Sequence, residues 1–231
     1  LDRGAGAHVV ALLDVAADDD RLTLVLPRLP GGDLARLLAQ RTTLEGGEAV
    51  TILAPIAATV VRLHDAGVAH GALRAGSVLF DDDGAPVLTG FGSAAMFAPG
   101  APEVERERVP EVAADRAALR AIASTVLDRV AGGRSAAAQR LRSEAAAASD
   151  ADVAALLATR VFEVAAARPV RDADPVAAEA GGGLRIIPLA EPVAVADGEP
   201  DRNRMRRQGW AARVESWLDR SPVADAKAAL V

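Results

Sequence analysis

Leu63-His64-Asp65-Ala66-Gly67-Val68-Ala69-His70-Gly71-Ala72-Leu73-Arg74-Ala75-Gly76-Ser77 is the stretch that decides the fold. Upstream of it, Val50, Leu53, Ile56, Ala57, Val60, Val61 and His64 recur at helical spacing. That pattern predicts a long helix over 45–65 with a wide apolar face, and Gly67 ends it. Downstream, 77–80 and 86–89 are short apolar runs separated by Asp81-Asp82-Asp83-Gly84, which predicts a small hairpin.

Working outward, 8–15 reads as a strand, Asp18-Asp19-Asp20 as a polar turn and 21–26 as the returning strand. Pro30-Gly31-Gly32 breaks the chain, and Asp33 caps a short helix to Gln40. On the other side, 93–112 holds Pro99, Pro102 and Pro110 without a clear period and reads as an irregular loop. Helices are expected over 115–131, 135–148 and 150–166, with a short piece at 175–180. Gly181-Gly182-Gly183 closes this domain, 184–201 reads as a linker, and 202–220 reads as a final helix. The expected class is α+β, mainly helical, with no doubly wound sheet.

Composition narrows the functions. The 231 residues are 51% apolar but only 3% aromatic, with no Tyr, so Ala, Val and Leu must fill the core. There is no Cys, which excludes disulfides and thiolate metal sites and makes the cytoplasm the expected compartment. No signal peptide is read at the start, and no apolar run is expected to reach the ~20 residues that span a bilayer. A net charge of −6 argues against a nucleic-acid binder. Arg is abundant, while Lys227 is the one Lys and Asn203 the one Asn, a bias expected of a high-GC, bacterial genome. The chain opens at Leu1 instead of Met, which leaves a fragment and an unusual start codon both open.

From about residue 8 to 180 the sequence resembles the eukaryotic-like serine/threonine protein kinases. Residues 8–15 look like the entry to the fourth N-lobe strand, 24–29 like the hinge approach, and 30–34 like the turn after it. The opening stretch is similar to the family's central helix running into its catalytic loop. Ala101-Pro102-Glu103 matches the A-P-E closing an activation segment. Asp115 falls at the start of the buried helix, and Ala167-Arg168-Pro169 resembles the late Arg-Pro. The resemblance implies a kinase-like C-lobe at 30–183. It also implies a remnant N-lobe hairpin at 1–29, with most of the N-lobe absent, and a tail at 202–231.

The same resemblance exposes departures. The family loop H-R-D-L-x-x-x-N, whose Asp takes a proton and whose Asn holds magnesium, here reads His70 to Ser77. Ala72 replaces the base and Ser77 the Asn. The metal motif D-F-G becomes Gly90-Phe91-Gly92, and no Lys precedes residue 227. Arg74 lies where the family has its loop Lys. The expectation is a pseudokinase, not an enzyme, with no metal or cofactor requirement. Leu26, Leu29 and Leu79 as a remnant adenine pocket imply weak metal-independent ATP binding. His70-Gly71 also fits aminoglycoside phosphotransferases, although 101–103 and 168–169 favour protein kinases. A fragment of an active kinase is a further alternative.

His70 reads either as a general base or as a structural residue beneath the loop, with the second favoured. His64 reads as a core histidine. Asp81 to Asp83 read as a solvated turn over a calcium site. The resemblance implies that Glu103 pairs with Arg168 and that Asp115 accepts backbone hydrogen bonds from the loop. In the tail, six Arg oppose Glu215 and Asp219, and Trp210, Val214, Trp217 and Leu218 share one helix face. That face is expected to dock on protein, ahead of an anionic membrane surface. The whole reads as a regulatory or protein-interaction module whose protein partner the sequence does not name.

Overall fold

The computed structural model describes residues 6–18 and 21–170. The expected helix at 175–180, the linker, and the tail with Trp210, Val214, Trp217 and Leu218 lie outside the described residues.

The described chain opens with β1 (Asp14–Asp18) antiparallel to β2 (Arg21–Val25). The first strand therefore starts six residues later than 8–15 suggested. Val9 and Val10 leave the hairpin and join the domain core instead. Val9 bridges Leu88, and the Val10 N–H donates to the Leu88 carbonyl at 2.9 Å. An apolar run declares that it will be buried, not what will bury it.

Helix α1 (Leu34–Gln40) starts where Asp33 Oδ1 accepts the Arg36 N–H at 2.9 Å. Such a cap stabilises a helix by about 1 kcal/mol. Helix α2 (Gly46–Asp65) follows, and the buried Glu48 carboxylate fastens its first turn. Glu48 accepts the Glu45 N–H at 2.9 Å and a forked Arg41 guanidinium at 2.7 Å per arm. Val50, Ile52, Leu53, Ile56 and Ala57 are fully buried, and α2 is the axis of the domain. Each of its large apolar side chains contributes about 1.5–3 kcal/mol by leaving water. The expectation about apolar runs needs correction here. α2 has 20 residues and is long and apolar enough to cross a membrane, yet 72% of its apolar window is buried inside this domain.

Gly67 ends α2 at φ +74°, a conformation that costs other residues roughly 1–2 kcal/mol. The chain then forms β3 (Val68–Ala69), a 3₁₀ turn at Ala75–Ser77, and the hairpin of β4 (Val78–Phe80) with β5 (Pro86–Leu88). Within the connecting turn, Asp81 Oδ1 accepts from the Asp83 and Ala85 N–H groups at 3.0 and 2.8 Å.

Residues 93–112 are more ordered than their prolines suggested. β6 (Ala95–Met96) pairs antiparallel with β3, and α3 (Glu103–Arg106) forms one short turn. α4 (Pro110–Asp128) begins five residues before Asp115, because Pro110 occupies the first helical position, where a missing N–H costs nothing. α5 (Ser135–Ala147) and α6 (Val153–Arg160) complete the described elements. The last is shorter than 150–166: a Ser149–Asp152 turn precedes it and a 3₁₀ turn at Val161–Glu163 ends it. α2 packs against both α4 and α6, so the fold is mainly helical with three small two-stranded sheets among the described residues.

Candidate functional site

The loop from His70 to Ser77 rests on one buried carboxylate. Asp115 comes from the second turn of α4 and is 1% exposed. Its Oδ2 accepts the His70 backbone N–H at 2.7 Å, and its Oδ1 accepts the Gly71 N–H at 2.8 Å. The His64 ring, from the last turn of α2, meets Oδ2 through Nε2 at 3.0 Å. A buried carboxylate is tolerated only when its oxygens are hydrogen-bonded, and these three groups engage both of them.

His70 is fully buried and lies 4.5 Å from Phe91, ring centre to ring centre. Its Nε2 donates to the Thr89 carbonyl at 2.8 Å, and its Nδ1 accepts the Ala72 N–H at 3.3 Å. The neutral Nε2–H tautomer, assigned from these partners, satisfies both. Burial holds the imidazole below its ordinary pKa, against the pull of the Thr89 carbonyl and Asp115 toward protonation. A neutral ring with both nitrogens engaged supports the loop and has no lone pair left for a substrate proton.

The other side of the loop carries little functional chemistry. Ala72 presents a half-buried methyl. Ser77 turns its hydroxyl inward: Oγ donates to the Arg74 carbonyl at 2.8 Å and accepts the Arg74 N–H at 3.0 Å. Gly90 sits at φ +82°, ψ 35°, and a Cβ built on it would lie 3.7 Å from the Ser77 Cβ. Positions 77 and 90 are thus neighbours, as a shared metal would require. With a methyl at 72, a committed hydroxyl at 77 and no side chain at 90, the residues present do not fit a magnesium ion. Among the described residues, no cluster of three His, Asp or Glu could hold a metal. Arg74 is exposed, and Gly92 has open space around it.

The ion pairs differ from the sequence reading. Glu103 pairs with Arg116, through two bonds of 2.5 and 2.9 Å, and not with Arg168. Arg116 follows Asp115 on the buried face of α4 and is 5% exposed, so it must be paired. The Arg116 hydrogen bond holds the Glu103 carboxyl below its ordinary pKa. Arg168 instead reaches Glu45 at 3.3 Å, with both groups largely exposed, a contact worth at most about 1 kcal/mol. An arginine at a core-facing position of α4 was the available signal for the true partner.

Segment 93–102 hangs from the end of α2. The Phe97 N–H donates to the Gly67 carbonyl and the Gly100 N–H to the Asp65 carbonyl, each at 2.8 Å. Arg106 pairs with Asp65 at 2.8 Å. Of the three leucines expected around adenine, Leu29 and Leu79 are half-buried, and Asp33, in the turn after Leu29, bridges to Leu79. Leu26 is 42% exposed beyond the end of β2.

With this geometry in place, comparison with known proteins gives the family. A family model of the protein kinase domain matches residues 2–112. Residues 2–112 are protein kinase family sequence. The human hormonally up-regulated neu tumor-associated kinase is 32% identical over 85 residues, 37% of this chain and 12% of that protein. The serine/threonine-protein kinase PknL of Mycobacterium tuberculosis is 31% identical over 84 residues, 36% of this chain and 21% of that protein. The Drosophila melanogaster serine/threonine-protein kinase Warts is 31% identical over 112 residues, 42% of this chain and 10% of that protein. The chain thus spans about a fifth or less of the length of these kinases.

These matches correct one expectation. The family matched by residues 2–112 is a family of enzymes and the relatives are named kinases, so the expectation that this chain is not an enzyme is overturned. The groups at Ala72, Ser77 and Gly90 remain as described.

Proposed function

We propose that this kinase-family domain serves as a regulatory or protein-interaction module that binds adenine nucleotides without a divalent cation. The observation that carries this reading is the division of the 70–77 loop. Its supporting side keeps a filled hydrogen-bond set on Asp115, while its open side offers Arg74 and no carboxylate at 72 or 90. A cation without a neighbouring acid favours a bare phosphate over a magnesium-bound one. Leu29 and Leu79 would supply apolar contact to the base. Thermal-shift titration with ATP and ADP, with and without magnesium, tests this. A ligand at 100 times its Kd adds about 2.7 kcal/mol of stability. The expected result is a nucleotide shift that magnesium leaves unchanged; no shift at all would remove nucleotide from the proposal.

A second reading is phosphoryl transfer by a longer kinase of which this chain is one part. The kinase names of the relatives and the small share of their length that it spans favour this reading. Incorporation of labelled γ-phosphate into the chain or a basic protein substrate, with a thermal shift that requires magnesium, would decide for it.

A further inference from the structure

Ser93-Ala94-Ala95-Met96-Phe97-Ala98-Pro99-Gly100-Ala101 carries no charged side chain. The segment nevertheless keeps a fixed course along 65–71, from the end of α2 to the start of the candidate loop. Backbone bonds hold it there. β6 pairs Met96 with Val68 and Ala95 with Ala69, while the Phe97 and Gly100 N–H groups reach the Gly67 and Asp65 carbonyls. Two glycines let the backbones come this close. Gly67, at φ +74°, faces the Phe97 carbonyl, and Gly71, at φ +75°, faces the Ser93 carbonyl. A Cβ at either position would collide with that oxygen. Backbone atoms packed this closely have no rotamer to escape into, so the segment itself would have to move.

Charge contributes little to this seat. At the far end of the segment, Arg106 Nε donates to the Ala101 carbonyl at 2.7 Å, and the same guanidinium pairs with Asp65 at 2.8 Å. The Asp65 side chain is 58% exposed, so water screens that pair. We infer that 93–101 is a permanently seated strap, a fixed wall beside the 70–77 loop whose position depends on the missing side chain at 71. A segment positioned by charge moves with salt or with a charge-changing modification. This one is positioned by shape. A partner or a nucleotide therefore meets the same backbone course whether or not the other is bound, with Met96 presented on it. This goes beyond the function proposed above: regulation of the domain does not run through movement of 93–101.

Hydrogen exchange on the full chain tests the strap, because it reads local opening. In the unaltered chain, the fragment spanning 93–101 is expected to exchange at least about 100-fold more slowly than the same sequence as a free peptide. That protection should stay within about 2-fold on adding salt to about 0.5 M, or on adding ATP. Gly71→Ala should raise exchange in this fragment at least about 10-fold and leave α2 unchanged. Gly132→Ala is the matched control. Gly132 has the same φ of +75° but no atom within 4 Å of an added Cβ, so the substitution carries the strain without the collision. It should leave 93–101 unchanged. Arg106→Gln should raise exchange by less than about 5-fold. Free-peptide rates in the unaltered chain, or protection lost with salt or ATP, would overturn the proposal, and neither measurement needs a variant to fold. So would a silent Gly71→Ala, an equal effect of Gly132→Ala, or a larger effect of Arg106→Gln. The nucleotide thermal shift is read separately, so its absence would remove the nucleotide reading and not the strap.

Discussion

The two sides of the 70–77 loop are built to different standards. Beneath it, Asp115 gathers two backbone N–H groups and the His64 ring at 2.7–3.0 Å, and the His70 ring has both nitrogens engaged. Above it, Ala72 and Gly90 offer no polar side-chain atom, and Ser77 spends its hydroxyl on its own loop. The difference shows that a loop's shape and a loop's chemistry are held by separate residues. The supporting set lies in the interior, where each missing partner leaves a buried polar group stranded. Ala72 is half-buried and Gly90 exposed, and a methyl or a hydrogen at those two positions leaves nothing stranded.

The largest test of this contrast is Asp115→Ala. It strands the His70 and Gly71 N–H groups and removes the partner of His64, and should cost about 3–5 kcal/mol, read as a lowered midpoint of chemical denaturation. Loss of less than about 1 kcal/mol would show that the loop holds its shape by other means.

Next in size is the response to pH. The His70 pKa is held down in the folded state, so below the ordinary imidazole value the unfolded chain binds more protons than the folded one. The His70 contribution is therefore complete above about pH 6.5 and declines as pH falls below it, by at most about 1.4 kcal/mol per pH unit. The Glu103 pKa is also lowered, so its contribution is present above the ordinary carboxyl value of about 4.3 and fades as pH drops through the folded one. Melting temperature followed from pH 8 down to about pH 2, which takes in the region below the ordinary carboxyl value, should fall in two stages. Glu103→Gln should remove the lower stage and leave the upper.

The smallest effect is expected on the open side. Gly90→Asp places a carboxyl where the nearest heavy atom to its Cβ is 3.7 Å away, in a backbone conformation that Asp tolerates. Its stability change should stay within about 1 kcal/mol. A loss as large as that of Asp115→Ala would erase the distinction between the two sides.

Much of the framework was readable from residue patterns. The 3.6-residue period over 45–65, the Asp33 cap and the Asp-rich turn at 81–84 each carry a local signal, and the structure has α2, α1 and the β4–β5 hairpin there. What escaped depends on long-range geometry. The Glu103 partner is set by how α4 is rotated against α3, which neighbouring sequence does not encode; an Arg beside Asp115 on a buried face was the nearest clue. The first strand was misplaced because Val9 and Val10 are as apolar as a strand but bind Leu88. At the candidate site, the residue types at 72, 77 and 90 were plain in the sequence. The inward turn of the Ser77 hydroxyl and the double engagement of His70 needed coordinates.

Gly90 also bears on how this chain could change over generations. Glycine and aspartate codons differ by one base. The left-handed bend at 90 would accept that exchange with little disturbance to the interior. An acid at 90 is thus one point mutation away on a frame that has room for it, so the side chain there can change in evolution more readily than the Asp115 network beneath the loop.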